Sequence, residues 1–123
     1  IVFNSKNDSV YVSNQDSNNI FEVELKEGAF STSFDKDDFN SGASPSGVAL
    51  NKNKGKLFVA NRDLNRISII NLNNKKIEKT IPVGTGPTKM GFNPKTSKLY
   101  VLNRSENTVS VIYDPLKPAP TPT

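Results

Sequence analysis

The chain has 123 residues, 34% of them apolar and 23% charged, which is the composition of a polar globular protein of one-domain size. Lys and Arg outnumber Asp and Glu by 16 to 12, a net charge of +4. There is no apolar run near the ~20 residues of a spanning helix, and with no Cys and no His the chain lacks thiolate chemistry, disulfides, the commonest general base and the commonest metal ligand.

The first residue is Ile1, not Met, which points to a processed or excised piece. The first elements are Phe3-Asn4, then Val10-Tyr11-Val12-Ser13-Asn14, then an apolar run from Ile20 to Leu25. A longer stretch follows up to Pro45. It contains Asp35-Lys36-Asp37-Asp38 and Ser41-Gly42, and it reads as an insertion in a loop or outer strand, where extra length is tolerated. The middle unit is complete, with strands expected at Gly47 to Asn51, Leu57 to Asn61, Ile67 to Leu72 and Ile77 to Val83. Between them lie short Asn-, Lys- and Gly-rich turns, so neighbouring strands form antiparallel hairpins. The third unit repeats the pattern: Leu57-Phe58-Val59-Ala60-Asn61-Arg62 returns as Leu99-Tyr100-Val101-Leu102-Asn103-Arg104, and Val109 to Tyr113 follows. It stops after its third strand. No segment has sustained helical periodicity.

Four short antiparallel strands repeating every ~40–45 residues define a β-propeller blade. The expected architecture is all-β, about three tandem blades of an incomplete ring. Blade 1 spans 1–44, blade 2 spans 45–86 and a partial blade 3 spans 87–114. Residues 115–123 form a Pro/Thr-rich linker or stalk. The segments Val10 to Asn14 and Leu99 to Asn103 resemble the core of the YVTN-type propeller repeat. So does Val83-Gly84-Thr85-Gly86-Pro87 with the later Phe92-Asn93-Pro94 and Asn103 to Ile112. That resemblance implies a surface-layer or other secreted protein, and it covers nearly the whole chain. Related propellers include enzymes, so the fold alone does not assign the function.

Several residues invite a functional reading. Asn14, Asn61 and Asn103 close the second strand of each unit, and Asn18, Asn65 and Asn107 recur four residues later. They could form a ring of amides facing a ligand. Recurrence in every unit instead favours side chains that pin the next turn's backbone. Gly84-Thr85-Gly86-Pro87 lacks the Gly-Lys-Thr ending of a phosphate loop and reads as the passage between blades. Asp35 to Asp38 lacks calcium-loop spacing and reads as a solvated acidic loop. Glu22 stands where the other units have Ile69 and Val111; a carboxylate there is expected to be wet, at the edge of the first blade. Sequons occur at Asn7 and Asn103.

The loops between second and third strands share one end of a propeller with the blade-to-blade passages. Asn61, Arg62, Asp63, Asn65, Arg66, Asn103, Arg104, Glu106 and Asn107 are therefore the candidate binding residues, able to engage a polar or anionic partner. No catalytic residue, metal or cofactor is expected, because the inner strands offer amides and one lysine. The expected role is a non-catalytic scaffold or recognition module at the cell surface or outside the cell, with protein or anionic polysaccharide partners. The remaining blades of a larger propeller, or self-association, would cover the open ends. The lysines have no interleaved aromatics, which argues against nucleic acid. The alternative is a fragment of a lactonase-like or dehydrogenase-like propeller enzyme.

Overall fold

A computed structural model of the chain describes residues 1–26, 28–34 and 43–113, with 29–34 described by backbone alone. The acidic loop at 35–38 and the Pro/Thr-rich segment at 115–123 lie outside the described residues. Among the described residues eleven strands form three antiparallel sheets, each in simple chain order. The first sheet holds β1 (Val2–Asn4), β2 (Ser9–Asn14), β3 (Asn19–Glu24) and β4 (Ala29–Phe34). The second holds β5 (Pro45–Asn51), β6 (Lys56–Asn61), β7 (Arg66–Asn71) and β8 (Lys76–Pro82). The third holds β9 (Pro87–Asn93), β10 (Lys98–Asn103) and β11 (Thr108–Tyr113). Among the described residues the helical content is two single 3₁₀ turns, Arg62–Leu64 and Arg104–Glu106. This is the expected all-β array of blades, and the ring is open.

The repeat sets the register. Tyr11 lies opposite Glu22, Phe58 opposite Ile69 and Tyr100 opposite Val111. Most hairpins turn through a left-handed residue: Asp8, Gly55 and Ser97 after the inner strands, Asn18, Asn65 and Asn107 after the second strands. Asn and Asp tolerate that geometry because a short polar side chain offsets part of its cost.

The sheets stack face to face. Tyr11 and Ile20 of the first blade meet Leu57, Val59, Ile70 and Leu72 of the second. On the other face of the second blade, Phe58, Ala60, Ile67 and Ile69 meet Leu99 and Val101 of the third. β6 is buried along its full length because both of its faces are covered, so Leu57 to Ala60 read as a continuous apolar run without alternation. Each large side chain so buried contributes about 1.5–3 kcal/mol.

The blade joints show why the asparagines repeat. Asn18 Oδ1 accepts from the Ser44 N–H at 2.8 Å, and Asn65 Oδ1 accepts from the Gly86 N–H at 2.9 Å. From the other side, the Arg62 N–H donates to the Ser44 carbonyl and the Arg104 N–H donates to the Gly86 carbonyl. Each passage is therefore clamped by the blade it leaves and the blade it enters. Asn65→Ala removes the acceptor for Gly86 and the residue best suited to φ 53°, and is expected to cost about 1–2 kcal/mol in urea denaturation.

Asn14, Asn61 and Asn103 act differently from expectation. Their amides cross to the third strand and not to turn backbone. Asn61 Nδ2 donates to Ser68 Oγ at 2.7 Å, Asn103 Nδ2 to Ser110 Oγ at 2.8 Å and Thr108 Oγ1 at 3.2 Å, and Asn14 Nδ2 to Asn19 Oδ1 at 2.9 Å. The side chain of a strand residue stands out from the sheet face, within reach of its cross-strand neighbour.

Glu22 is also not wet. It is 6% exposed, accepts a hydrogen bond from the Tyr11 hydroxyl at 3.1 Å, and pairs with Lys75 Nζ at 2.6 Å. Lys75 belongs to the second blade, so the carboxylate ties two blades together. Burial raises the Tyr11 hydroxyl above its ordinary pKa, and the neighbouring Glu22 charge adds to that, while the amide of Asn7 opposes it. A second ion pair, between buried Lys56 and the exposed Glu78, joins β6 to the outer strand of its own blade.

Antiparallel topology sorts the loops onto two ends. The β2–β3, β6–β7 and β10–β11 hairpins and the described residues of the blade joints, 43–44 and 83–86, form one end, called the upper end below. The β1–β2, β3–β4, β5–β6, β7–β8 and β9–β10 hairpins form the lower end.

Candidate functional site

At the upper end, β5 and β9 lie side by side as the inner strands of adjacent blades. Ser46 fastens them: its Oγ donates to the Pro87 carbonyl at 2.9 Å. Ser13, on β2 of the first blade, links that blade to the second by donating to the Ser46 carbonyl at 3.0 Å. Above these strands an open cavity of about 420 Å³ is lined by Gln15, Ser46, Arg62, Thr88, Lys89 and Arg104, with Gly47, Val48, Met90 and Ile1 completing the wall.

Gln15, Arg62 and Arg104 occupy the same position in successive repeats, the residue after the asparagine that closes the second strand. The fold brings all three to one rim. With its amide oxygen turned toward Arg62, Gln15 accepts from Nη1 at 2.5 Å and Nη2 at 3.0 Å. Arg62 Nε donates to Asp63 Oδ1 at 3.1 Å, and Ser44 Oγ donates to Asp63 Oδ2 at 2.8 Å. The Ser44 and Arg62 contacts hold the Asp63 carboxyl below its ordinary pKa. The Arg62 fork is thus oriented from both sides. Among the described residues no carboxylate pairs with Arg104 or Lys89.

The nine residues singled out in the sequence separate by role. Arg62 and Arg104 reach the shared cavity. Asp63 orients Arg62. Asn65 clamps the blade joint. Asn61 and Asn103 are 1% exposed and bond to the third strand. Burial and that bond also remove the Asn103 amide from glycosylation in the folded chain. Arg66 opens β7 and is half-buried, with a buried Nε. Glu106 accepts from Thr108 Oγ1 at 3.0 Å, and Asn107 is the left-handed residue that turns the chain into β11. Gln15, Ser46, Thr88 and Lys89 were missed. Gln15 was legible from its repeat column; the others come from inner strands, whose approach is a tertiary fact.

A larger cavity of about 580 Å³ lies on the third blade, lined by Leu102, Asn103, Arg104, Asn107, Thr108 and Val109 with Thr88 and Lys89. Its repeat equivalents show what it is. Leu102 and Val109 correspond to Ala60 and Ile67, which are fully buried under the third blade. This cavity is part of a blade-to-blade face.

Sheets stacked around an inner strand, with loops gathered at one end, define the chain as a section of a β-propeller. The family model "Lactonase, 7-bladed beta-propeller" matches residues 1–115, and the chain belongs to that family. No curated protein sequence matches it. Among solved structures it is similar to a chain of a nidogen/laminin complex, with TM-score 0.73 and 19% identity over 90% of this chain and 42% of that one. It is similar to the RRP9 WD40 repeats, with TM-score 0.69 and 14% identity over 92% of this chain and 37% of that one. It is also similar to a luciferin-regenerating enzyme, with TM-score 0.68 and 18% identity over 80% of this chain and 34% of that one. At such identities the likeness concerns the fold. The chain spans less than half the length of each of these structures.

Proposed function

We propose that this chain is the recognition sector of a non-catalytic propeller of the YVTN-repeat type in a secreted or cell-surface protein, and that its upper end takes an acidic group of a protein partner. The observation that carries this is the convergence of Arg62 and Arg104, from successive blades, on one cavity with Lys89 and Gln15. A guanidinium fork matches a carboxylate bidentately, and arginine is over-represented among residues that dominate protein interfaces. All three arginines of the chain, Arg62, Arg66 and Arg104, sit at this end. The cavity lining provides positive charge and hydrogen-bond donors, with neither carboxylate nor imidazole to take a proton at neutral pH. The surface location is supported by the YVTN-like segments and the Pro/Thr-rich stretch.

The test is calorimetric titration of the protein carrying this chain with a Glu-Gly repeat peptide and its Gln-Gly counterpart. Binding is expected for the acidic peptide alone, weakened about tenfold or more by Arg62→Gln with Arg104→Gln. Equal affinity for the two peptides, or an unaffected double variant, overturns the proposal. The family's description favours a second reading, an enzyme acting on a lactone. Lactone turnover that disappears in the same double variant would favour that reading.

A further inference from the structure

The two ends of the molecule use different cations. The lower end has no arginine; its positive charge is lysine alone. Lys56 and Lys75 are paired with Glu78 and Glu22. Lys6, Lys26, Lys52, Lys54, Lys76, Lys95 and Lys98 remain, and among the described residues the carboxylates of this end outside those pairs are Asp8 and Glu24. The turn after the inner strand carries part of the surplus in each blade. Asn4 Oδ1 accepts from the Lys6 N–H at 3.0 Å, Asn51 Oδ1 from the Lys54 N–H at 3.4 Å and Asn93 Oδ1 from the Lys95 N–H at 3.0 Å. Each blade thus presents a lysine on a turn held by the asparagine that ends its inner strand. In the first two blades these lysines border one groove of about 300 Å³, where Lys6, Lys52 and Lys54 stand beside the amides of Asn7, Asn53 and Asn73.

We propose that the lower end binds a carboxylate-bearing polysaccharide, with one sugar-acid unit seated in the groove and the chain running past the lysines of successive blades. The groove is at the small end of ligand-site volumes, about 300–1,000 Å³, which suits a single ring better than a protein epitope. A sugar acid offers both of the groups this lining matches, a carboxylate for the ammoniums and hydroxyls for the amides. Lysine is a compact, mobile point charge, suited to a flexible polyanion with charges along its length. The lining contains no aromatic side chain on which a nucleic-acid base could stack. Its one aliphatic residue, Leu72, is buried and cannot insert into a membrane. This proposal stands apart from the one made for the upper end.

The experiment measures binding of the protein carrying this chain to immobilised polygalacturonate over a series of salt concentrations, with amylose as the neutral polymer. Lys6→Gln/Lys52→Gln/Lys54→Gln is the test variant. What Lys6 and Lys54 give the fold is a backbone N–H, which the substitution keeps, and an unchanged thermal midpoint verifies folding. Polygalacturonate is expected to bind and amylose not to bind. The triple variant should lose about tenfold or more in affinity and have a shallower salt dependence. Arg62→Gln/Arg104→Gln, at the other end, should leave this binding unchanged. The proposal is overturned by a triple variant that binds as tightly as the parent, by equal loss in the arginine variant, or by phosphatidylglycerol vesicles or single-stranded DNA binding as tightly as polygalacturonate.

Discussion

Gly47→Ala, the addition of one methyl group, is expected to cost about 2 kcal/mol or more in chemical denaturation. β5 and β9 approach so closely that a Cβ at position 47 would lie 2.0 Å from the Thr88 carbonyl oxygen and 3.0 Å from its carbonyl carbon. Both atoms are backbone. No side-chain rotation relieves the clash, so one inner strand must move away from the other. The neighbouring link from Ser46 Oγ to the Pro87 carbonyl would stretch with it, and so would the packing of Phe58 and Ile69 on Leu99 and Val101. The upper cavity is lined by residues of both strands, so the acidic-peptide affinity should fall with stability. Gly91→Ala is the control. Gly91 is also on an inner strand, but a Cβ there meets nothing within 4 Å, and its repeat equivalent in β5 is already Ala49. That substitution is expected to be neutral, or to stabilise by up to about 1 kcal/mol, because alanine has less freedom to lose on folding. A Gly47→Ala chain as stable as the Gly91→Ala chain would show that the inner strands do not touch as described.

The blades themselves were legible because each local signal agrees with the fold: β-branched and aromatic runs, Asn-rich turns, and a proline where β5 and β9 begin. The residues that recur in all units were legible as structural for the same reason, though not in their geometry. Asn65 does clamp backbone, whereas Asn61 reaches a hydroxyl on the next strand, and both read simply as Asn near a turn. What distinguishes them is the direction a side chain takes from a strand or a left-handed turn. Gly47 was opaque. Nothing local asks for glycine there, and Lys89 fills the same column one blade later. Its requirement comes from a strand in the next repeat. Glu22 was misread for the same reason. Its repeat column identified an apolar site correctly, but its partner is supplied by the lower hairpin of another blade.

That partnership makes the second large prediction. Lys75→Ala is expected to destabilise the chain by about 1–3 kcal/mol. Removing one member of a buried ion pair strands the other charge, at a cost of about 3–5 kcal/mol. The lower figure follows because the Lys75 side chain is 38% exposed, so water can enter its place, whereas that of Glu22 is 8% exposed. Glu22→Ile behaves differently. It installs the residue that blade 2 carries in this column, Ile69, and removes the desolvated charge together with the need for Lys75. In the Lys75→Ala background it should recover most of the loss, since replacing a buried pair by packed apolar groups is often neutral or stabilising. Tyr11→Phe completes the conversion to the pattern of Phe58 and Ile69, because the Tyr11 hydroxyl would otherwise lose its acceptor. The hydroxyl also carries a pH signature. Burial and the Glu22 charge raise its pKa in the folded chain above the unfolded value near 10. The folded state keeps that proton where the unfolded state releases it, so its contribution is full below about pH 10 and falls as pH rises beyond. Urea denaturation from pH 9 upward should show a stability loss in the parent that is smaller in Tyr11→Phe. A double-mutant cycle giving no coupling between positions 22 and 75 would mean that the carboxylate is solvated and that apolar packing and the Ser13 and Asn18 hydrogen bonds join the first two blades without it.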